Sequence, residues 1–177
     1  MTTLKLAISE SQIQECVGRL AQLIQVDYQD QSLLVVGALN GSFVFLADLI
    51  RRMNLPIQVD FIRLSSYDES EKSSGTVRLH HGVRTSVAGK NVLVVEDIVD
   101  TGLTAQFIRG YFEDQGAATV RICSLLDKPV RRRTSVTVDY VGFEVPDEFL
   151  VGYGLDYNQQ YRELRALYSL EEEIDGS

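Results

Sequence analysis

Residues 92–105 read VLVVEDIVDTGLTA, a short apolar run followed by three carboxylates and a small turn bearing hydroxyls and a glycine. Val92, Leu93, Val94 and Val95 lie between Lys90 and Asn91 on one side and Glu96 on the other, so they read as a buried strand. From Leu103 the spacing changes, with Leu103, Phe107, Ile108, Tyr111 and Phe112 at helical intervals. The turn therefore joins the carboxyl end of a strand to the amino end of a helix. In open α/β sheets ligands bind at such junctions, and the unpaired N–H groups of a helix start attract anions.

The flanking chain repeats this pattern. Ser9 and Ser11 offer caps for a first helix with Ile13, Cys16, Val17, Leu20 and Ile24 on one face, ending near residues 28–32. Residues 33–39, LLVVGAL, predict a second buried strand, met at once by Asn40, Gly41 and Ser42 and then by a helix over 43–53. A second helix start can thus point at the same ligand. Pro56 closes that unit, and 59–64 predict another strand. Residues 65–75, SSYDESEKSSG, are polar without apolar periodicity and fit a lid or a surface loop, with 77–83 and 84–88 flanking it as a hairpin arm. Strands are expected over 119–126 and 136–141, and the last segment, 161–170, runs into an acidic tail expected to fray. Strands alternating with helices imply a parallel α/β sheet with right-handed crossovers.

The 177 residues contain no Pro/Gly/Ser-rich linker, so a single domain over 1–177 is expected. No stretch approaches the length of a membrane helix, and the opening MTTLKLAISE lacks a secretory apolar segment, which points to the cytoplasm and away from a membrane. Cys16 and Cys123 sit in separate apolar-periodic segments and read as reduced core residues. His80 and His81 are adjacent; an extended segment would turn them to opposite faces, against joint metal ligation. A net charge of −8 argues against a nucleic-acid partner, and the run Arg131, Arg132, Arg133 reads as a solvated loop.

Glu96 and Asp97 would face opposite ways within a strand, but both can reach one pocket where a strand ends. Their hard oxygens suit Mg²⁺, which often takes one or two carboxylates plus substrate oxygens; exposed loop acids are the alternative. Asp100, Thr101, Gly102 and Thr104 favour a ligand, because hydroxyls and consecutive N–H groups at a helix start can wrap a phosphate monoester. The turn has no Gly-Lys-Ser/Thr and no GxGxxG, so it is neither a nucleotide P-loop nor a dinucleotide fingerprint. Asp-Thr-Gly also marks aspartic proteases, but those are all-β and this tripeptide opens a helical pattern.

The stretch VLVVEDIVDTGLTA resembles the phosphoribosyl pyrophosphate (PRPP) signature of the type I phosphoribosyltransferases. With GALNGSFVFLADLI, VDFIRLSSY, LLDKP and VGFEVPDEFLVGYGLDYNQQYREL, in order and spacing, the chain resembles the hypoxanthine-guanine phosphoribosyltransferases over nearly its whole length. That resemblance implies a mainly parallel central sheet flanked by helices, with a small hood built from 1–10 and 145–177 and a mobile loop at about 65–76. It implies Mg²⁺-dependent transfer of 5-phosphoribosyl from PRPP to N9 of a 6-oxopurine, and a homodimer or homotetramer.

Residue by residue, the resemblance gives Glu96 and Asp97 to the ribose hydroxyls and metal, Asp100 to the proton at purine N7, and Asp100, Thr101, Gly102, Leu103 and Thr104 to the 5′-phosphate. It gives Leu39, Asn40, Gly41 and Arg162 to pyrophosphate, with a non-proline cis peptide between Leu39 and Asn40. Relatives carry Lys or Arg where Asn40 stands, so any cation contact there is lost. Ile98, Lys128, Phe149, Leu150 and Asp156 would meet the purine, with Lys128 donating to O6, Phe149 stacking and Asp156 also a metal ligand. Ser65, Ser66 and Tyr67 would begin the lid. Two other readings share the signature: a xanthine-preferring enzyme, and a non-catalytic PRPP sensor that binds nucleic acid. Asp100 and Lys128 speak against the sensor, which needs neither a base nor an O6 donor.

Overall fold

The computed structural model describes residues 2–67 and 76–172. β1 (Thr2–Ile8) leads into α1 (Glu10–Asp27), whose start is fixed by a capping box. The Ser9 hydroxyl accepts from Gln12 N–H while the Gln12 side chain takes Ser9 N–H, satisfying two of the orphan donors of a helix start. The face carrying Ile13, Cys16, Val17, Leu20, Ala21 and Ile24 is buried, as the periodicity requires.

β2 (Leu33–Leu39), α2 (Phe43–Ile50), β3 (Ile57–Tyr67), β4 (Thr76–His81), β5 (Asn91–Val99), α3 (Leu103–Asp114), β6 (Thr119–Asp127) and β7 (Tyr140–Glu144) follow. They build a six-stranded sheet in the order β4-β3-β2-β5-β6-β7, parallel except where β4 pairs antiparallel with β3. β8 (Leu150–Val151) and β9 (Leu167–Glu172) join β1 in a separate antiparallel sheet, β1-β9-β8. The expected fold class is thus observed, a mainly parallel α/β sheet with a hood contributed by both ends of the chain.

β2 and β5 are neighbours, yet from β2 the chain moves to β3 on one side and from β5 to β6 on the other. This reversal of strand order leaves a crevice at the carboxyl ends of β2 and β5, where α/β sheets hold ligands. Both faces of β2 and β5 are covered. Leu33, Val35, Leu93 and Val95 pack with α1 and α2, while Leu34, Val36, Val92 and Val94 pack with α3 residues Ala105, Ile108 and Phe112. Burial on two faces explains why these strands read as continuous apolar runs.

Several expectations need correction. Ser65, Ser66 and Tyr67 continue β3, paired with Arg78, Val77 and Thr76 of β4, so they lie in a strand and not in a loop. The rest of the expected lid, residues 68–75, lies outside the described residues. Residues 84–88 are not a strand, because the Asp60 carboxylate takes the Arg84 and Thr85 N–H groups that a ladder would need. The strand expected over 136–141 begins only at Tyr140. Arg109 binds the Thr137 carbonyl and the Asp139 carboxylate, while Val136 and Val138 pack beside α3. α2 stops at Ile50, three residues early, and Arg52 turns to the Gln14 carbonyl. β5 runs on to Val99, so Glu96 and Asp97 lie within a strand.

Candidate active site

β5 does not keep a regular pleat across its carboxylates. Strict alternation from Val92 and Val94 would put Ile98 on their face, but Ile98 packs with the opposite cluster and Val99 with theirs. The alternation therefore reverses at Glu96 and Asp97. Glu96 is 5% exposed, and its Oε1 has no hydrogen-bond partner among the described residues. Burial first, and the adjacent Asp97 second, push its carboxyl well above the ordinary range. Asp97 is pushed up to about 6, chiefly by burial, against the opposing pull of backbone amides and Arg162.

Three segments converge on Asp97. A Cβ built on Gly41 would fall 1.7 Å from Asp97 Oδ2, and one built on Gly154 would fall 2.2 Å from the Gly41 carbonyl oxygen. Only glycines let the turn after β2, the end of β5 and the hood loop meet so closely. The Leu39–Asn40 peptide in that turn is cis, as the resemblance implied, and Asn40 is exposed.

The turn after β5 leads into α3 through Gly102, held at φ +83 in the left-handed region. No side chain caps the helix; the Leu103 N–H lies 3.4 Å from Thr101 Oγ1. Beyond Leu103, whose N–H makes this long contact, the next N–H groups of a twelve-residue helix can meet an anion, with Thr101 and Thr104 half-buried beside them.

Beside this turn a cavity of 390 Å³ opens, a volume suited to a small ligand. All five residues expected at the purine, Ile98, Lys128, Phe149, Leu150 and Asp156, line it together with Asp97 and Asp100. Lys128 is 5% exposed, and its ammonium donates to the Glu148 carbonyl while lying 3.8 Å from Asp147 Oδ1. An ammonium has three donors, so these two contacts leave one for a further acceptor. Phe149 is 54% exposed and meets Tyr157 edge to face at 5.7 Å, an aromatic wall and not a core filler. Asp156 pairs with Arg162 at 2.8 Å, and Arg162 also donates to the Gly154 carbonyl, so the arginine braces the hood loop beside Asp97.

Residues 9–158 match the family described as the phosphoribosyl transferase domain. The chain belongs to the phosphoribosyl transferase family. It is 44% identical over 160 residues to the hypoxanthine-guanine phosphoribosyltransferase of Bacillus subtilis, covering 90% of this chain and 89% of that one. Identity is also 44% over 160 residues to the hypoxanthine phosphoribosyltransferase of Haemophilus influenzae, covering 89% of each. A crystal structure of a Bacillus anthracis hypoxanthine-guanine phosphoribosyltransferase superimposes with a TM-score of 0.91 at 42% identity, over 97% of this chain and 100% of that one.

This phosphoribosyl transferase also brings to the site residues that spacing alone did not single out. The arginine run keeps Arg131 and Arg133 exposed, as a solvated segment would, but it is also anchored. Arg131 Nε lies 3.0 Å from Asp100 Oδ1 and its Nη1 3.2 Å from Asp147 Oδ1. Arg132 donates to the Asp100 carbonyl and pairs with Asp127, and Arg133 N–H donates to the Thr101 carbonyl. The whole run is folded over the turn that it follows by about thirty residues, a proximity with no local sequence signal. Leu155 completes the cavity.

Among the described residues no three His, Cys, Asp or Glu side chains gather as a metal cage. Mg²⁺ does not need one, since it takes one or two carboxylates and completes its shell with water and substrate oxygens. The hard oxygen donors of Asp97 and the unpartnered Glu96 Oε1 fit that demand.

Proposed function

We propose that the chain transfers 5-phosphoribosyl from PRPP to N9 of hypoxanthine or guanine, giving IMP or GMP and pyrophosphate, in purine salvage. The observation that carries this reading is the convergence of Lys128, Phe149, Leu150, Ile98 and Asp156 on one cavity beside the uncapped start of α3.

The 5′-phosphate would sit on the N–H groups and hydroxyls of Asp100, Thr101, Gly102, Leu103 and Thr104, with pyrophosphate between the turn of Leu39, Asn40 and Gly41 and the Arg162 side. Purine N9 forms a bond to the ribose anomeric carbon as the bond from that carbon to pyrophosphate breaks, and the N7 proton passes to Asp100. Lys128 faces O6, an arrangement that favours 6-oxopurines because the 6-amino group of adenine would set donor against donor. Phe149 stacks on the ring and Leu150 offers its backbone to the purine edge. When bound, Mg²⁺ would offset charge on the leaving pyrophosphate, with Glu96, Asp97 and Asp156 as its candidate side-chain ligands. The β3–β4 arm would carry a lid that excludes water.

The acting form would be a cytoplasmic homodimer or homotetramer. Val59 and Phe61, two apart on β3 and so on one face, are 39% and 40% exposed, an apolar surface that a second copy would cover. Among the described residues no helix is long and apolar enough to cross a membrane. The test is product formation: PRPP, Mg²⁺ and hypoxanthine should give IMP and pyrophosphate in equal amounts, with loss of both on chelation. Pyrophosphate release without nucleotide would refute the transfer.

A further inference from the structure

Asp100 Oδ1 is closed to solvent and has no aligned hydrogen-bond partner among the described residues, yet Arg131 Nε lies 3.0 Å away in an ion pair. The same guanidinium reaches Asp147 in the hood through a different nitrogen, Nη1, at 3.2 Å. Its neighbour Arg132 holds the Asp100 main chain by donating to the carbonyl at 2.9 Å. Consecutive arginines thus grip the side chain and the backbone of one aspartate.

The remaining charged groups on this cavity are Lys128, Asp97 and Asp156. Lys128 is engaged with the Glu148 carbonyl, and Asp156 with Arg162, so neither fixes the Asp100 carboxylate. A carboxylate turns easily about its last torsion, where the energy wells are broad. A rigid guanidinium held against Oδ1 restrains that rotation and leaves Oδ2 outside the ion pair, and because its donors sit on separate nitrogens it can hold a second carboxylate as well. A lysine, a single point charge, cannot span both.

We propose that Arg131 is a positioning residue for Asp100, presenting Oδ2 to the purine and tying the base to the hood segment that carries Phe149 and Leu150. This rests on the reading of Asp100 as the proton acceptor. The pair is about 40% exposed on each side, so its contribution to stability is small and its role is orientation.

The test is a double-mutant cycle with kcat, purine KM and IMP affinity measured for Arg131→Ala, Arg131→Lys, Asp100→Asn and the Arg131→Ala/Asp100→Asn pair. Arg131→Ala should lower kcat about tenfold or more while IMP affinity stays within about threefold. Arg131→Lys should recover part of kcat. In the Asp100→Asn background the alanine change should cost nothing further, within about twofold. Losses that multiply in the double variant would overturn the inference, because Arg131 would then act by another route. A deficient Asp100→Asn beside an unimpaired Arg131→Ala would overturn the positioning role alone; an unimpaired Asp100→Asn would overturn both it and the reading of Asp100. Arg131→Gln serves with the same expectations should the alanine variant fail to fold.

Discussion

Asp97 has a carboxyl pushed up to about 6 while an aspartate in an unfolded chain titrates near 3.9. The folded form therefore holds the proton more tightly. This stabilising contribution is complete below about pH 4 and is lost as pH rises through about 6. Replacing Asp97 with Asn, which keeps the shape without the charge, should raise the thermal midpoint at pH 7.5 in the absence of Mg²⁺, by about 2–4 °C for each kcal/mol of relieved penalty. The same variant should flatten the fall in midpoint between pH 4 and 6. An unchanged midpoint at pH 7.5 in thermal melts would contradict the burial of this charge. Lys128 allows a separate test of selectivity. Lys128→Met keeps the buried stem but removes the donor, and the ratio of kcat/KM for hypoxanthine over adenine should drop by about tenfold or more. A ratio that stays put would free Lys128 from purine choice.

At the scale of elements, the turns after β2 and β5 matter more than the helices that follow. Gly41→Ala would drive a methyl into the Asp97 carboxylate, 1.7 Å from Oδ2. Turnover should fall more than 100-fold while the protein still folds, because the collision is local to the site. A near-normal rate would mean the turn relaxes freely. By contrast, Ser9→Ala removes only the cap of α1 and should cost about 1 kcal/mol of stability with turnover unchanged.

These elements also show what the sequence discloses. Continuous apolar runs flanked by turn residues marked β2 and β6 closely and located the first half of β5, since burial on both sheet faces leaves a strong local pattern. Strand ends were harder, because side chains settled them. Asp60 takes the amides of Arg84 and Thr85, and Arg109 takes the carbonyl of Thr137, each from far along the chain. The residues proposed to meet the purine were reachable through resemblance, whereas the contacts of Arg131 with Asp100 and Asp147 depend on three distant segments meeting. Phe149 illustrates the limit of composition, since a phenylalanine is more often core and only the fold leaves it half exposed on a cavity wall.

For the whole molecule, an acidic chain with net charge −8 can still take a highly charged substrate. A helix start, the Arg162 side and, when bound, Mg²⁺ would supply local positive potential at the proposed PRPP site, so no broad basic surface would be required. PRPP with Mg²⁺ should bind the folded form alone and stabilise it by about 2.7 kcal/mol at a hundredfold excess over Kd. The central claim is a choice of base made by this cavity. The most direct measurement is kcat/KM of the purified protein for hypoxanthine, guanine, xanthine and adenine with PRPP and Mg²⁺. Hypoxanthine and guanine should turn over at least about 100-fold more efficiently than adenine. Equal use of adenine, or no turnover with any of the four, would contradict the account.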